Sequence, residues 1–294
     1  MSLPVRTGQL SWRSGAQESI TSFDVVGEGR AALLLPALSS IGTREEMRPL
    51  ALRLGGRFQC LIPDWPGFGN APRAQLPVTV ETMRRFLRAF IDRQTWSRPI
   101  AVAAGHAAPY LVEAARVHPS LFERLVLIAP TWRGPLPTAM GEDRRPLYGR
   151  IRRLIEMPVL GQALYRVNVS GPVVARMMRA HVYAEPAHVD AGLLAAKLAV
   201  TRRERARFAT AAFVTGELDP VRSREAWLAL FADGLPPTLV LRPASAPPRS
   251  TAEIDALIAS GRVHAAEVRG ALAAHEEYPD DAAAAILGFV GVPD

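Results

Sequence analysis

Continuous apolar runs alternate with amphipathic helical stretches along most of this sequence. The clearest runs are AALLLPA (31–37), FQCLIPD (58–64), RPIAVAAG (98–105) and ERLVLIAP (123–130). Strands without polar alternation are typical of a sheet that is buried on both faces, and helices between them indicate crossover connections. The alternation therefore predicts an α/β protein built on a parallel sheet.

The alternation stops at about Gly134. Three amphipathic helical segments follow with no strand-like run between them, over 141–167, 172–185 and 188–213. Strands and helices alternate again from about residue 218, with PTLVLRP (237–243) and RVHAAEVR (262–269) as the last two strands. We therefore expect an α/β core formed by 1–134 and 218–294, and an all-helical insertion over 135–217.

Composition places the chain among ordinary globular proteins, with 49% hydrophobic and 21% charged residues. No apolar run approaches the ~18 residues that a membrane-spanning helix needs. Cys60 is the only cysteine, which excludes an internal disulfide and a cysteine-based metal cluster. It stands in a strand-like run, which favours an inert core thiol. We expect no metal, no cofactor and a cytoplasmic location.

The net charge of +7 is concentrated in the helical insertion, where 142–207 holds thirteen Lys/Arg against six Asp/Glu. No nucleic-acid-binding module or aromatic-basic alternation accompanies it, so we do not expect nucleic acid as a partner. Leu147, Ile151 and Leu154 stand at helical spacing among arginines. This pattern leaves peripheral contact with an anionic membrane open, beside simple packing on the core and a solvated basic surface. The sequence does not predict an oligomeric state.

Several motifs occur in the order found in one family. They are LLLPAL, PDWPGFGNAPR (Pro63 to Arg73), AGHAAPY, ERLVLIAP and HEEYPDDAAAAILGFV. With them the sequence resembles the α/β-hydrolase fold, specifically members with a helical cap inserted after the sixth strand. The resemblance implies a mostly parallel eight-stranded sheet flanked by helices, and it covers the core from end to end.

The same resemblance implies a catalytic triad of serine, acid and histidine. Aligned on G-x-S-x-G, the nucleophile position is Ala107. Aligned on the histidine motif, the base position is Leu272, and His275 matches a downstream residue that is usually at the surface or caps a helix. We regard an inward-facing His275 as the less favoured alternative.

The acid position depends on the number of elements that follow it. The fold needs one helix and one strand between the acid and the histidine, which places the acid loop after PTLVLRP, at Ser245 or Ala246. Asp219 in TGELDP is the alternative, but it leaves one helix and one strand too many. We therefore expect Asp219 to lie away from the turn after AVAAG and to cap a helix that begins at Pro220. All three triad positions are then degenerate.

The resemblance leaves two backbone donors for an oxyanion hole, the N–H groups of Ala108 and Leu38. Side chains that could reach a cavity under the cap belong to Ser39, Ser40, His106, Tyr110 and Trp132. Packing is the alternative for each of them, and for His106 it is favoured. The predicted ligand contacts are Leu38, Ser39, His106, Ala107, Ala108, Tyr110, Trp132 and Leu272.

Three hypotheses of function follow. The first is a pseudoenzyme that binds an apolar small molecule, such as one with a carbonyl or carboxylate, in a hydrophobic pocket under the cap. The second is a non-hydrolytic enzyme (a lyase, isomerase or cyclase) that uses the residual oxyanion hole, or a hydrolase with a relocated nucleophile such as Ser39. The third is a module that binds a membrane or a protein partner, for which the pocket is irrelevant.

Overall fold

The computed structural model describes residues 3–15, 17–71 and 76–291. Within them, eight strands form one sheet in the order β1-β2-β4-β3-β5-β6-β7-β8. The strands are β1 (Val5–Ser14), β2 (Gln17–Val26), β3 (Arg30–Leu35), β4 (Phe58–Pro63), β5 (Ile100–Ala104), β6 (Leu125–Ile128), β7 (Thr238–Pro243) and β8 (His264–Val268).

The sheet is antiparallel at one edge and parallel elsewhere. β2 pairs antiparallel with β1 and β4, and all other neighbouring strands are parallel. β3 is central, because its Leu33 lies opposite Leu61 on one side and Ala101 on the other. The predicted mostly parallel, eight-stranded sheet is confirmed.

Helices connect the strands and cover both faces of the sheet. They are α1 (Arg48–Leu54), α2 (Val80–Asp92), α3 (Ala108–Val117), α4 (Pro135–Met140), α5 (Arg145–Glu156), α6 (Leu160–Asn168), α7 (Gly171–Met177), α8 (Ala191–Thr201), α9 (Ala206–Val214), α10 (Arg224–Ala229), α11 (Pro248–Ala259), α12 (Ala274–Glu277) and α13 (Pro279–Gly291). None of the described helices is long and apolar enough to cross a membrane.

Alternate side chains of the central strands enter two separate apolar clusters. In β5, Ala101 and Ala103 belong to the cluster formed with α2, α3 and α11, whereas Ile100 and Val102 belong to the cluster formed with α1 and α13. Successive side chains of a strand point to opposite faces, so each face of the sheet has its own core. This two-sided burial is the physical reason for the continuous apolar runs in the sequence.

Helices α4–α9 lie between β6 and β7, and within 135–217 the described structure contains no strand. A third apolar cluster joins this helical segment to the sheet, through Ile41 after β3 and Ala273 after β8. Ala273 N–H also donates to the carbonyl of Val182 at 2.9 Å. The segment therefore packs on loops at the carboxyl ends of two strands, as a cap would, while the division into two domains stays a prediction.

Buried ion pairs fix the loop after β4, which carries the PDWPGFG motif. Asp64 accepts from the backbone N–H of Arg44 at 2.9 Å and of Asn70 at 3.0 Å, and it pairs with the Arg44 guanidinium. Gly69 has φ +53°, and a Cβ there would collide with the Asp64 carboxylate. This motif is therefore structural. The last two residues of PDWPGFGNAPR, 72 and 73, lie outside the described residues.

Candidate functional site

The turn between β5 and α3 is the position at which this type of fold carries its nucleophile. β5 ends at Ala104, a short 3₁₀ turn covers Gly105–Ala107, and α3 begins at Ala108. Gly105 has φ +51°, in the left-handed region that favours glycine, whereas Ala107 has φ −78° and is already helical. The strained residue of the turn is therefore Gly105.

This geometry corrects the position predicted for the nucleophile. A hydrolase nucleophile is the strained residue itself, so the structural equivalent is Gly105 and not Ala107. The surrounding pattern is Ala103-x-Gly105-x-Ala107, with small residues two positions on either side. The sequence alignment was wrong because the glycine that was matched to the start of G-x-S-x-G is itself the residue of the turn. No side chain is present at the strained position.

With Gly105 at the nucleophile position, the backbone N–H groups expected to form an oxyanion hole are different ones. The N–H of Ala108 donates to the carbonyl of Gly105 within the 3₁₀ turn, so it does not point into a site. The N–H that follows the strained residue belongs to His106. The loop after β3 does face the turn, because a Cβ on Gly105 would lie 3.4 Å from the Cβ of Ala37, next to Leu38.

His106 links the turn to the end of the helical segment. Its Nε2 donates to Asp219 Oδ1 at 2.9 Å, and both side chains are buried. The same Asp219 oxygen accepts from the N–H of Gly134 at 2.8 Å, and Oδ2 accepts from Arg145 Nη2 at 2.8 Å. The Asp219 carboxylate thus accepts hydrogen bonds from three parts of the chain.

The prediction for Asp219 was wrong. Asp219 lies at the turn after β5, and α10 begins at Arg224 with Ser223 as its cap, whose Oγ accepts from Ala226 N–H at 3.1 Å. Asp-Pro before a helical pattern resembles an N-cap, so the sequence predicted a cap and did not indicate the distant contact with His106. The glycine in TGELDP is the local feature that could have indicated a close approach. Gly216 has φ +71°, and a Cβ there would collide with the Asp219 carboxylate.

The loops after β7 and β8 lie side by side, as the element count predicted. Ser245 N–H donates to the carbonyl of Gly270 at 3.0 Å. Ser245 is exposed, and Ala246 and Leu272 are half-buried. None of these three residues has a titratable side chain, and their assignment to the acid and base positions stays a prediction.

His275 is buried, so the prediction of a surface or capping residue was wrong. It is 1% exposed, its Nε2 lies 3.7 Å from Glu46 Oε1, and neither ring nitrogen has a hydrogen-bond partner among the described residues. Its helix α12 packs between the loop after β3 and the helical segment. Only tertiary packing produces this burial, so the local sequence does not indicate it.

A buried polar cluster surrounds this histidine. It comprises Glu46, Tyr183, Lys197, His275 and Glu276. Glu276 Oε2 accepts from Lys197 Nζ at 3.0 Å and from the Tyr183 hydroxyl at 2.6 Å. Burial would raise the pKa of Glu276, but the Lys197 charge and the Tyr183 hydrogen bond hold that pKa below its usual value. The cluster holds an ionised carboxylate between the core and the helical segment.

The side chains predicted to contact a ligand are mostly packed in the core. The Tyr110 hydroxyl donates to the carbonyl of Leu218 at 2.7 Å, and Trp132 Nε1 donates to Glu253 Oε2 at 3.0 Å. Ser39 and Ser40 are half-buried, and Ser39 Oγ accepts from Ile41 N–H at 3.3 Å. The fully buried members are Leu38, His106, Ala107, Ala108, Tyr110 and Trp132. Ligand contact by these residues stays a prediction.

An open cleft of about 580 Å³ lies elsewhere, between α4 and α11. Its charged lining residues are Arg133, Arg144, Arg224, Arg249 and Glu253. Glu253 is shared, since it accepts from Arg133 Nη2 at 2.8 Å and from Arg224 Nε at 3.0 Å. A smaller cavity of about 20 Å³ lies beside Pro66 and Met83. Neither cavity is lined by a predicted ligand contact. In the described part of the chain, His, Cys, Asp and Glu form no group able to hold a metal ion.

Comparison with known proteins supports the fold through structure alone. No protein-family model matches the chain, and no curated protein is significantly similar in sequence. A serine hydrolase involved in carbazole degradation matches with TM-score 0.71 and 16% identity, over 98% of this chain and 100% of that one. A thermophilic esterase from Thermogutta terrifontis matches with TM-score 0.69 and 19% identity, over 97% and 98%.

A haloalkane dehalogenase variant from Bradyrhizobium elkanii is similar as well, with TM-score 0.69 and 14% identity over 97% of this chain and 96% of that one. These proteins act on different substrates and share one architecture, the α/β-hydrolase fold. The chain therefore has this fold, as its motifs predicted. At such low identity the likeness shows the fold and carries no activity with it.

Proposed function

We propose that this chain is a non-hydrolytic protein with the α/β-hydrolase fold, and that it works by binding. One observation carries the proposal. The strained turn that presents the nucleophile in this fold is occupied by Gly105 in this chain. Covalent catalysis of this type needs an attacking oxygen or sulfur on that residue, and glycine supplies neither.

The base and acid positions support the same proposal. Leu272 follows β8, where the fold carries its histidine, and Ser245 and Ala246 follow β7, where it carries its acid. We do not assign the missing base to His106, because it directly follows Gly105 at the turn and its Nε2 is bonded to Asp219, whereas the fold carries its base after the last strand. Loss of a triad member removes several orders of magnitude of rate, and here all three are affected.

Ester hydrolysis tests the proposal. We expect the purified protein to hydrolyse short p-nitrophenyl esters no faster than buffer does, and we expect Gly105→Ser alone to remain inactive because Leu272 supplies no base. A relocated nucleophile would be Ser39, the half-buried hydroxyl of the loop after β3. Saturable hydrolysis that disappears in Ser39→Ala would contradict the proposal and identify that nucleophile.

The ligand that we propose is an apolar small molecule bound between the helical segment and the core. The packed apolar cluster of Ile41, Met178 and Ala273 lies where the helical segment meets the core, and it is the apolar surface that such a ligand would contact. Native mass spectrometry of the purified protein is expected to detect a bound apolar molecule, and released ligand is expected to raise the melting temperature when added back. A ligand-free protein whose melting temperature no fatty acid or ester changes would contradict this part of the proposal.

The buried His275 favours a second candidate, a non-hydrolytic enzyme. Neither ring nitrogen of His275 has a hydrogen-bond partner among the described residues, and Nε2 lies 3.7 Å from Glu46 Oε1, so the ring keeps its capacity to accept a proton. Exchange of carbon-bound protons of ketones and thioesters in heavy water, followed by NMR, tests this candidate. Exchange that is lost in His275→Gln would favour the enzyme over the binding protein.

A further inference from the structure

Exposed apolar side chains are concentrated in one part of the described structure. Twelve large apolar side chains are exposed, and nine of them belong to 140–173. These nine are Met140, Leu147, Leu154, Met157, Val159, Leu160, Leu164, Val167 and Val173. Single exposed apolar residues are normal on a protein surface, but a cluster of this density marks an interaction surface.

Most of the cluster lies on one helical hairpin. Helices α5 and α6 are joined by the three residues 157–159, and they pack closely because a Cβ on Gly161 would collide with the carbonyl of Ile155. Apolar residues recur at positions i, i+4 and i+7 on the outer side of both helices. They are Leu147, Ile151 and Leu154 on α5, and Leu160, Leu164 and Val167 on α6. We call these six residues, with Met157 and Val159, the apolar hairpin face.

The opposite side of the hairpin is anchored to the rest of the helical segment. Tyr165 is buried, and its hydroxyl donates to the carbonyl of Thr201 at 2.8 Å. Arg207 donates to Gln162 Oε1 at 3.2 Å. The hairpin therefore already packs one face on its own chain, and the apolar hairpin face is the outer one. At its tip Val159 is 85% exposed and has φ +56°, so a β-branched side chain is held in water in an unfavourable backbone conformation.

Arginines greatly outnumber acids along the segment that carries this face. From Arg144 to Arg176 the chain holds seven arginines and one acid, Glu156; Arg152 is paired with Glu156 and Glu217, and Arg145 with Glu142 and Asp219. The exposed arginines of this stretch are Arg144, Arg150, Arg153, Arg166 and Arg176. An apolar surface flanked by exposed arginines is complementary to a partner with an apolar interior and an anionic surface.

We propose that the apolar hairpin face docks on an anionic lipid bilayer. Its apolar side chains enter the boundary between headgroups and acyl chains, and the surrounding arginines contact lipid phosphates. A second copy of this chain fits the face less well, because a two-fold interface would bring the same arginines against one another. A nucleic acid would leave the apolar side chains without a partner. The proposal does not depend on whether the site at Gly105 is catalytic.

A fluorescent label placed in the face tests the docking directly. Val167 and Val117 are each 70% exposed, but only Val167 lies in the apolar hairpin face. Cys60 is buried, so Val167→Cys and Val117→Cys each offer one accessible thiol for an environment-sensitive dye. With vesicles of phosphatidylcholine and phosphatidylserine, we expect a blue shift and higher intensity for the label at 167 and no change at 117. No change at either position would overturn the proposal.

Paired variants separate the apolar contribution to vesicle binding from the electrostatic one in a sedimentation assay at low ionic strength. We expect Leu160→Glu with Leu164→Glu to abolish binding, while Val117→Glu has no effect. Reversal of Arg150, Arg153 and Arg166 to Glu is expected to weaken binding by more than about 100-fold, and reversal of Arg13, Arg57 and Arg93, which changes the net charge equally, by far less. Binding that is indifferent to the hairpin variants would overturn the proposal. A dimer that the leucine variants dissociate, without vesicle binding, would do so as well and would point to a second copy.

Discussion

The Nε2 of His106 donates to Asp219 Oδ1 at 2.9 Å, across 113 positions of sequence. The same carboxylate holds the N–H of Gly134, which precedes α4, and the guanidinium of Arg145 on α5. The buried Asp219 side chain thus connects residues near the beginning and the end of the helical segment to the turn after β5. In this chain the turn is a structural junction.

Asp219→Asn is expected to destabilise the fold by about 1–3 kcal/mol, because the amide offers one acceptor oxygen where His106, the N–H of Gly134 and Arg145 now share two. Urea unfolding followed by circular dichroism measures the change. Asp233 is an exposed carboxylate and serves as the control, with Asp233→Asn expected to be neutral. Equal effects of the two substitutions would show that the junction contributes no stability.

Gly105→Ala and Gly149→Ala are expected to change stability in opposite directions. Gly105 has φ +51°, so a Cβ there costs about 1–2 kcal/mol. Gly149 lies inside α5 with open space around a Cβ, so alanine is expected to stabilise the protein by about 0.5–1 kcal/mol. Thermal unfolding compares both variants with the parent. A neutral Gly105→Ala would contradict a strained turn at this residue.

Glu253 is expected to make stability depend on pH in the acidic range. Burial would raise the pKa of Glu253, but hydrogen bonds from Arg224 and Trp132 and the charge of Arg133 hold that pKa below the usual 4.5. A carboxyl whose folded pKa is depressed stabilises the fold fully above its unfolded pKa, and this contribution is lost as the pH falls through the folded pKa.

The parent protein should therefore be more stable than Glu253→Gln near neutral pH, and the difference should shrink below pH 4.5. Urea midpoints across that range measure it. Glu204→Gln, at an exposed position, should match the parent at every pH. A difference between parent and Glu253→Gln that stays constant with pH would contradict the depressed pKa.

Cys60 is expected to be unreactive in the folded protein. Burial raises the pKa of its thiol to about 12, so almost no thiolate is present near neutral pH. Ellman's reagent should give no colour with the native protein and one equivalent of thiol in denaturant. Rapid reaction in the native state would show that β4 is accessible.

The fold could be predicted because its signals are local. Continuous apolar runs identified the inner strands, and the order of elements placed Leu272 and Ser245 in neighbouring loops, as Ser245 and Gly270 show by their hydrogen bond. A strand that is buried on both faces has a nearly continuous run of apolar residues, which is easily recognised in a sequence. The helical insertion was equally clear, since a change from strand to helical periodicity is a local signal.

The details of the site could not be predicted, because they depend on contacts between distant parts of the chain. The register of the turn is set by the positive φ of Gly105. In the sequence, a glycine fits both the first position of G-x-S-x-G and the left-handed residue of the turn, so the sequence does not distinguish the two alignments. Asp219 and His275 are polar residues that resemble surface caps in sequence, yet both are buried by the helical segment. A buried polar residue with a distant partner has no local pattern that separates it from an exposed one.

Fluorophosphonate labelling followed by intact-protein mass spectrometry tests the central claim most directly, that this chain has no activated serine nucleophile. An activated serine attacks this reagent and keeps the adduct, whatever the natural substrate is. The native protein is expected to keep its unmodified mass, while an active serine esterase treated alongside is labelled completely. A stoichiometric adduct on the native protein, mapped to any serine, would contradict the account.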